Sequence, residues 1–250
     1  MRRKTHNQPT WRLIPCFAAS GQVQMAVDNW LLEQHRHGLH PPTLRFYTWQ
    51  PAALSLGYHQ RQYPAAWEKI TYQGQPLDIV RRPTGGRAVL HQGDLTYAVI
   101  TSGMTGTRSR IYQELCQFLL EGWRNLGINL HYGEARRGYI HNPNCFGTAT
   151  AADLVTDDNC KLIGSAQLRR GRAILQHGSM QIGGDRDLYQ RIFTQPLQPP
   201  ILPWHNGPET DIQEIITALT TAASHCFGVN LQPQPLTTAE WQAIASPLPS

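Results

Sequence analysis

The sequence predicts an α+β fold held in one domain over residues 9–250, with a short helical part at about 209–250. Three observations predict it. Runs with apolar residues at helical spacing sit among short β-rich runs, so both periods are present in one chain. The β-rich runs cluster between residues 44 and 101 and between 153 and 182 and do not alternate strictly with helices. No internal repeat and no evident linker divides the sequence.

In chain order, residues 1–8 form a loose polar tail. Apolar residues at helical spacing over 25–32 predict a helix, closed off by Pro41-Pro42. Residues 44–49 and 53–58 are strand-like and joined by a Gln50-Pro51 turn. Residues 65–70 fit a short helix, and 95–101 a strand. Residues 78–82 and 87–90 flank a Gly85-Gly86 turn. The clearest amphipathic helix runs from 111 to 126, with Ile111, Leu115, Phe118, Leu119 and Trp123 on one face and Gly127 as its stop. Residues 130–144 are rich in Gly and Arg and predict a loop. Residues 153–156 and 161–168 predict a hairpin around Asp157-Asp158-Asn159. A second turn at 169–172 leads to a strand over 173–182. A Pro/Gln-rich connector at 195–203 precedes a last helix over 212–227, stopped by Gly228.

Hydrophobic content of 40% and a length of 250 residues suffice for a full core. The net charge of +5 favours acidic partners without demanding nucleic acid, because basic residues are not interleaved with aromatics. The basic start, Met1-Arg2-Arg3-Lys4, is followed by polar residues and not by an apolar signal core, and no run is long enough to span a membrane. The five cysteines show no CxxC pair and no zinc-ligand spacing, which points to a reduced, cytoplasmic chain without a bound metal.

Four segments carry candidate chemistry. The first is Arg81-Arg82-Pro83-Thr84-Gly85-Gly86-Arg87-Ala88-Val89-Leu90-His91. Its two glycines allow a backbone to approach a ligand closely, and its arginines suit a phosphate or a pantetheine arm; a plain β-hairpin produces the same pattern. The second is Lys161-Leu162-Ile163-Gly164-Ser165-Ala166. A fixed ammonium over small residues can polarise a carbonyl, while an exposed strand-edge lysine is the alternative. The third is His177-Gly178, where the histidine either assists proton transfer or is a satisfied structural residue. His91 carries the same two readings. The fourth is Cys145, set in Asn142-Pro143-Asn144-Cys145-Phe146-Gly147. Cys16, Cys116 and Cys226 lie in or beside apolar stretches, as small buried hydrophobes do, and Cys160 neighbours Lys161. A polar loop around Cys145 favours exposure and a reactive thiolate.

With Met25-Ala26-x-Asp28, Leu44-Arg45-Phe46-Tyr47-x-Trp49, Leu54-Ser55-Leu56-Gly57 and Leu95-Thr96-Tyr97, these segments make the chain resemble the lipoate–protein ligase/octanoyltransferase superfamily, which also holds the biotin ligases. The resemblance runs from about residue 11 to about residue 188 and is specific because the motifs occur together. It implies a mixed or antiparallel sheet flanked by helices, similar to class II aminoacyl-tRNA and biotin synthetases. It also implies an acyl tunnel beside the Arg82–Arg87 segment, and a lysine, matched by Lys161, at the acyl carbonyl or activated phosphate. Ligases of the superfamily adenylate lipoate with ATP and need no cysteine; transferases carry octanoyl as a cysteine thioester. One transferase branch has its cysteine three residues before a His-Gly pair, which here is Ile174. The other has it in a Cys-Phe segment, which Cys145-Phe146 matches. The segment after it, Gly147 to Asp153, lacks the bulky aromatics of some members.

The resemblance therefore implies an octanoyl-carrier-protein:protein N-octanoyltransferase with no cofactor. Its donor would be an acyl carrier protein, whose encounter a basic face would speed. Its acceptor would be the lysine of a lipoyl domain or of a glycine-cleavage H-type protein. Cys145 and Lys161 are the expected catalytic pair, with Arg82, Thr84, Gly85, Gly86, Arg87, His91, Gly164, Ser165, Ala166, His177 and Gly178 on the substrate. The alternatives are an ATP-dependent ligase, a lipoyl amidotransferase and a non-catalytic acyl-binding protein.

Overall fold

A computed structural model of the chain describes residues 8–133, 152–194, 196, 202 and 208–246. Residues 1–7 of the expected tail, the segment that bears Cys145 and most of the 195–203 connector lie outside the described residues. The elements are, in order, β1 (Thr10–Ala19), α1 (Gly21–Arg36), β2 (Thr43–Trp49), β3 (Ala53–Leu56), a 3₁₀ helix (Ala65–Lys69), β4 (Thr71–Tyr72), β5 (Gln75–Pro76), β6 (Asp78–Arg81), β7 (Val89–His91) and β8 (Leu95–Ser102). There follow α2 (Arg108–Asn125), β9 (Leu130–Tyr132), β10 (Leu154–Thr156), β11 (Lys161–Arg170), β12 (Ala173–Met180), α3 (Arg186–Phe193), α4 (Pro208–Phe227), β13 (Asn230–Pro233) and α5 (Thr238–Ala245).

An eight-stranded mixed sheet in the order β13-β1-β2-β8-β12-β11-β10-β9 forms the frame. β1 runs parallel to β2 and to β13, and the rest pair antiparallel. Alternate residues on a strand face opposite sides, and this sheet buries both. Leu44, Phe46, Leu95, Tyr97, Val99 and Ile174 meet α2 and α4 in one core. Tyr47, Trp49, Ala98, Ile100, Ala173 and Leu175 meet α1 in the other, with Ile244 of α5 packed against it. Burying Trp123 and Phe118 of α2 completely contributes roughly 2–3 kcal/mol each. A smaller sheet, β6-β3-β7, shares a third core with α3 and the 3₁₀ helix. Among the described residues no helix is long and apolar enough to cross a membrane.

Several expectations are corrected. The first helix spans Gly21–Arg36, capped by Ser20, and stops five residues before Pro41. β6 and β7 do not form a hairpin around Gly85-Gly86: both pair with β3, one parallel and one antiparallel, so the turn is a crossover. Leu130–Tyr132, expected in a loop, is a strand on β10. The C-terminal part is not only helical, because β13 extends the main sheet on β1. Cys16 is exposed and Cys226 half-buried, and only Cys116 of the three is buried.

α5 is held by an ion pair across the ends of the chain. Arg12 on β1 donates from both terminal nitrogens to Glu240, at 2.6 and 2.9 Å, from Nη2 also to the Pro235 carbonyl, and from Nε to the Gln234 carbonyl. Glu240 also closes a capping box with Thr237. The hydrogen bond from Arg12 is the main cause that holds the Glu240 carboxyl down at about 2. A depressed carboxyl stabilises the fold above its unfolded value and loses that contribution as pH falls through its folded value. This contact is therefore expected to persist to about pH 3. Glu240→Ala leaves Arg12 buried opposite no carboxylate and is expected to cost about 3 kcal/mol, read by urea unfolding at pH 7 against the parent chain.

Candidate active site

The β2, β8, β12 and β11 registers lay out the floor of a cavity before any side chain is considered. They set Arg45, Ala98, His177 and Ala166 in one row and Tyr47, Thr96, Ser179 and Gly164 in the next. Members of both rows, with residues of the small sheet and of α1, enclose a cavity of roughly 640 Å³ including its mouth. Arg82, Gly85, Gly86, His91, Lys161, Gly164, Ser165, Ala166, His177 and Gly178 all line it, together with Met25, Val89 and Trp49. Thr84 and Arg87 act one layer behind: Thr84 hydrogen-bonds His177, and the Arg87 carbonyl accepts from Arg82.

Lys161 opens β11 and is buried, so it is not an exposed edge lysine. Its ammonium lies 2.8 Å from the carboxylate of Asp153, with side-chain exposures of 4% and 6%. A Cβ on Gly164 would lie 3.1 Å from the lysine nitrogen, so glycine gives the ammonium its seat. On the facing wall the Arg82 guanidinium folds back to the carbonyls of Ser55, Gly85 and Arg87 and fixes the crossover turn. Gly86 has φ +101°, and it packs against Gly57, whose Cβ would fall 1.8 Å from the Gly86 carbonyl oxygen.

Two buried polar chains stiffen the walls. In one, Asp28 of α1 accepts from His177 Nδ1 at 2.9 Å, Tyr47 at 3.0 Å and Arg45 at 3.2 Å. A carboxylate at Nδ1 selects the Nδ1–H tautomer, leaving Nε2 to accept from the Thr84 hydroxyl at 2.6 Å. His177 is thus both a satisfied buried residue and part of the cavity wall. In the other chain, Asp94 faces His91 Nδ1 at 2.8 Å, Ser179 at 2.6 Å and Thr96 at 3.1 Å. Burial pushes the His91 imidazole below its usual value, against the opposing pull of Asp94, so the ring is neutral at pH 7. Behind Ser165, Tyr97 donates to the Ser165 hydroxyl at 2.8 Å and Tyr112 to its carbonyl at 3.3 Å. Burial holds both phenols well above their usual range.

The expected lining residues are thus brought together, while Cys145 lies outside the described residues, seven positions ahead of Ala152 at the cavity wall. Sequence reasoning assigns no site role to the carboxylates Asp28, Asp94 and Asp153. A signal existed for Asp28, an acid on the apolar face of a predicted helix between Met25 and Leu32. Asp94 and Asp153 sit at strand ends, where nothing in the local sequence separates a partner carboxylate from a turn residue.

Comparison with known proteins agrees with this geometry. Residues 20–222 match the lipoyl protein ligase A/B catalytic domain. An octanoyltransferase LipM of Anoxybacillus flavithermus is 39% identical over 198 residues, covering 74% of this chain and 70% of the relative. One of Kyrpidia tusciae is 34% identical and covers 92% of each chain. A crystal structure of lipoate-protein ligase A bound with ATP superposes with a TM-score of 0.71 at 22% identity, over 94% of this chain and 92% of that one. The family match over most of the chain, with relatives this similar across their length, shows that the protein belongs to the lipoyl protein ligase A/B catalytic domain family.

Proposed function

We propose that this acyltransferase moves an octanoyl group from an acyl carrier protein to the lysine of a lipoyl domain or H-type protein, through a thioester on Cys145. The observation that carries the reading is the cavity itself: a buried ammonium, small residues and a glycine crossover converge on a partly apolar space, in a chain similar to proteins named octanoyltransferases.

The chemistry follows from the residues. The Cys145 thiolate attacks the acyl thioester, the carbonyl–sulfur bond of the donor breaks, and the carrier arm leaves as its thiolate. One thioester replaces another, so the step is nearly isoenergetic and needs no ATP. The acceptor amine, neutral when it attacks, then displaces Cys145 and yields an amide, its surplus proton passing to the leaving Cys145 sulfur. The Lys161 ammonium stabilises the oxyanion in both steps, and Asp153 and Gly164 hold it in place. The Gly85-Gly86 crossover lets the thioester arm approach the backbone.

Incubation with octanoyl-carrier protein, with and without ATP, followed by intact mass measurement tests this. An octanoyl thioester that peptide mapping places on Cys145 is expected without ATP, and no thioester is expected in Cys145→Ala. No adduct, or an undiminished adduct in Cys145→Ala, overturns the mechanism. Octanoyl transfer that depends on ATP and survives Cys145→Ala identifies a ligase instead.

A further inference from the structure

Ser55, His91 and Asp94 stand in the relation of a nucleophile, a general base and an orienting carboxylate. The Ser55 hydroxyl lies 2.8 Å from His91 Nε2, and His91 Nδ1 lies 2.8 Å from Asp94. Because the Asp94 carboxylate requires a proton on Nδ1, Nε2 is the free lone pair and Ser55 donates to it. Two hydroxyls, of Thr96 and Ser179, donate to the same Asp94 oxygen and fix it. Trp49 stacks on the imidazole at 3.8 Å and 15°, with its indole nitrogen hydrogen-bonded to Thr96, so the ring cannot turn. Arg82 donates to the Ser55 hydroxyl oxygen at 3.2 Å, which favours negative charge developing there.

A structural role alone would be met by any buried serine and histidine. Here the arrangement opens on the cavity: Ser55, His91, Arg82 and Ser179 all line it, as does Lys161. Strand register explains how the parts meet. Ser55 lies in the middle strand of the small sheet, two residues from the Ala53–His91 pair, and Asp94 follows His91 by three positions, immediately before β8.

We propose that Ser55 is a second acyl acceptor in this cavity, giving the protein a hydrolytic activity on medium-chain acyl thioesters. This rests on the proposed acyl-binding role of the cavity but not on Cys145. The Ser55 oxygen bonds to the acyl carbon, the carbon–sulfur bond breaks, and the hydroxyl proton passes through His91 Nε2 to the leaving thiolate. Water, deprotonated by the same imidazole, then cleaves the serine ester to a free carboxylic acid and restores the hydroxyl. The neutral state of His91 at pH 7 suits the base role. Ser55 and His91 are the catalytic residues of this reaction, and Asp94 is a positioning residue.

A short alkyl fluorophosphonate tests it, since a base-activated serine expels fluoride and keeps the phosphonyl group. Applied to the Cys145→Ala chain, which lacks the proposed thiol nucleophile, the reagent is expected to leave one adduct that peptide mapping places on Ser55. The same chain is expected to hydrolyse octanoyl-pantetheine, and phosphonylation is expected to reduce that hydrolysis at least tenfold. An unmodified Ser55 after exposure to the reagent, or hydrolysis that phosphonylation of Ser55 leaves unchanged, overturns the proposal. Mapping reads Ser55 itself and needs no Ser55 variant that could misfold. It uses neither carrier protein nor acceptor, so a failure of the Cys145 thioester and a failure of Ser55 are separate results.

Discussion

Lys161→Met is expected to slow octanoyl transfer by about 10²- to 10³-fold, the usual effect of removing one oxyanion donor. Methionine keeps the length and apolar body of the side chain and removes the charge, so the cavity shape survives. The loss should fall on kcat, because the proposed role of the ammonium is on charge that develops only in the transition state. Stability should fall as well. Asp153 and Lys161 are both nearly inaccessible to water and lie 2.8 Å apart, so removing the cation strips the buried carboxylate of that contact. A cost of about 3 kcal/mol is expected, which at this chain length lowers Tm by roughly 10 °C. The double variant Lys161→Met/Asp153→Asn separates the effects: it should recover part of the Tm and none of the rate. Recovery of the rate would remove Lys161 from the proposed chemistry.

Gly57→Ala is expected to be the most damaging single-methyl change near the cavity. The new Cβ would lie 1.8 Å from the Gly86 carbonyl oxygen and 2.6 Å from its carbon, and both are backbone atoms that no rotamer change can move aside. The crossover turn must shift, and the Arg82 guanidinium bonded to the Gly85 and Arg87 carbonyls must shift with it. A displacement of about 1 Å at a substrate-positioning element costs on the order of 10²-fold in rate. Overpacking adds a stability loss of roughly 2–3 kcal/mol. Adduct formation followed by quenched-flow mass measurement, with thermal melting alongside, checks both. A variant with parental rate and Tm would show that the turn does not depend on Gly57.

The site was more legible in the sequence than the frame that builds it. Gly85-Gly86, Lys161 and His177 are picked out by the resemblance to the superfamily, while residue type and local spacing alone leave a hairpin turn, an edge lysine and a structural histidine open. The carboxylates that position them are given no role. Asp28 meets His177 across 149 positions, and Asp94 meets Ser179 across 85, and nothing in a local window couples such residues. β1 escaped notice for a related reason. Pro15 interrupts its run, and the register with β2 shifts between Ile14 and Phe17, so alternation breaks where the strand bulges. β13 has four residues and is a strand because β1 supplies the partner. α3 needed only eight residues, with Leu188, Tyr189, Ile192 and Phe193 turned to the small sheet's core, too short a stretch for helical periodicity to declare itself. A Gly-Gly pair between two strands fits a hairpin as well as a crossover, because nothing in it announces the third strand that lies between them.

The bond between Arg12 and Glu240 also sets a timetable for biosynthesis. The two residues are separated by 228 positions. At about 5–20 residues per second, a ribosome delivers the second on the order of ten to fifty seconds after the first. During that interval β2 is already available to one side of β1, but the other side waits for β13, presenting unsatisfied amides and carbonyls that can template pairing with a foreign strand. That edge of β1 is thus open to foreign pairing until residues 230–233 emerge and take it up.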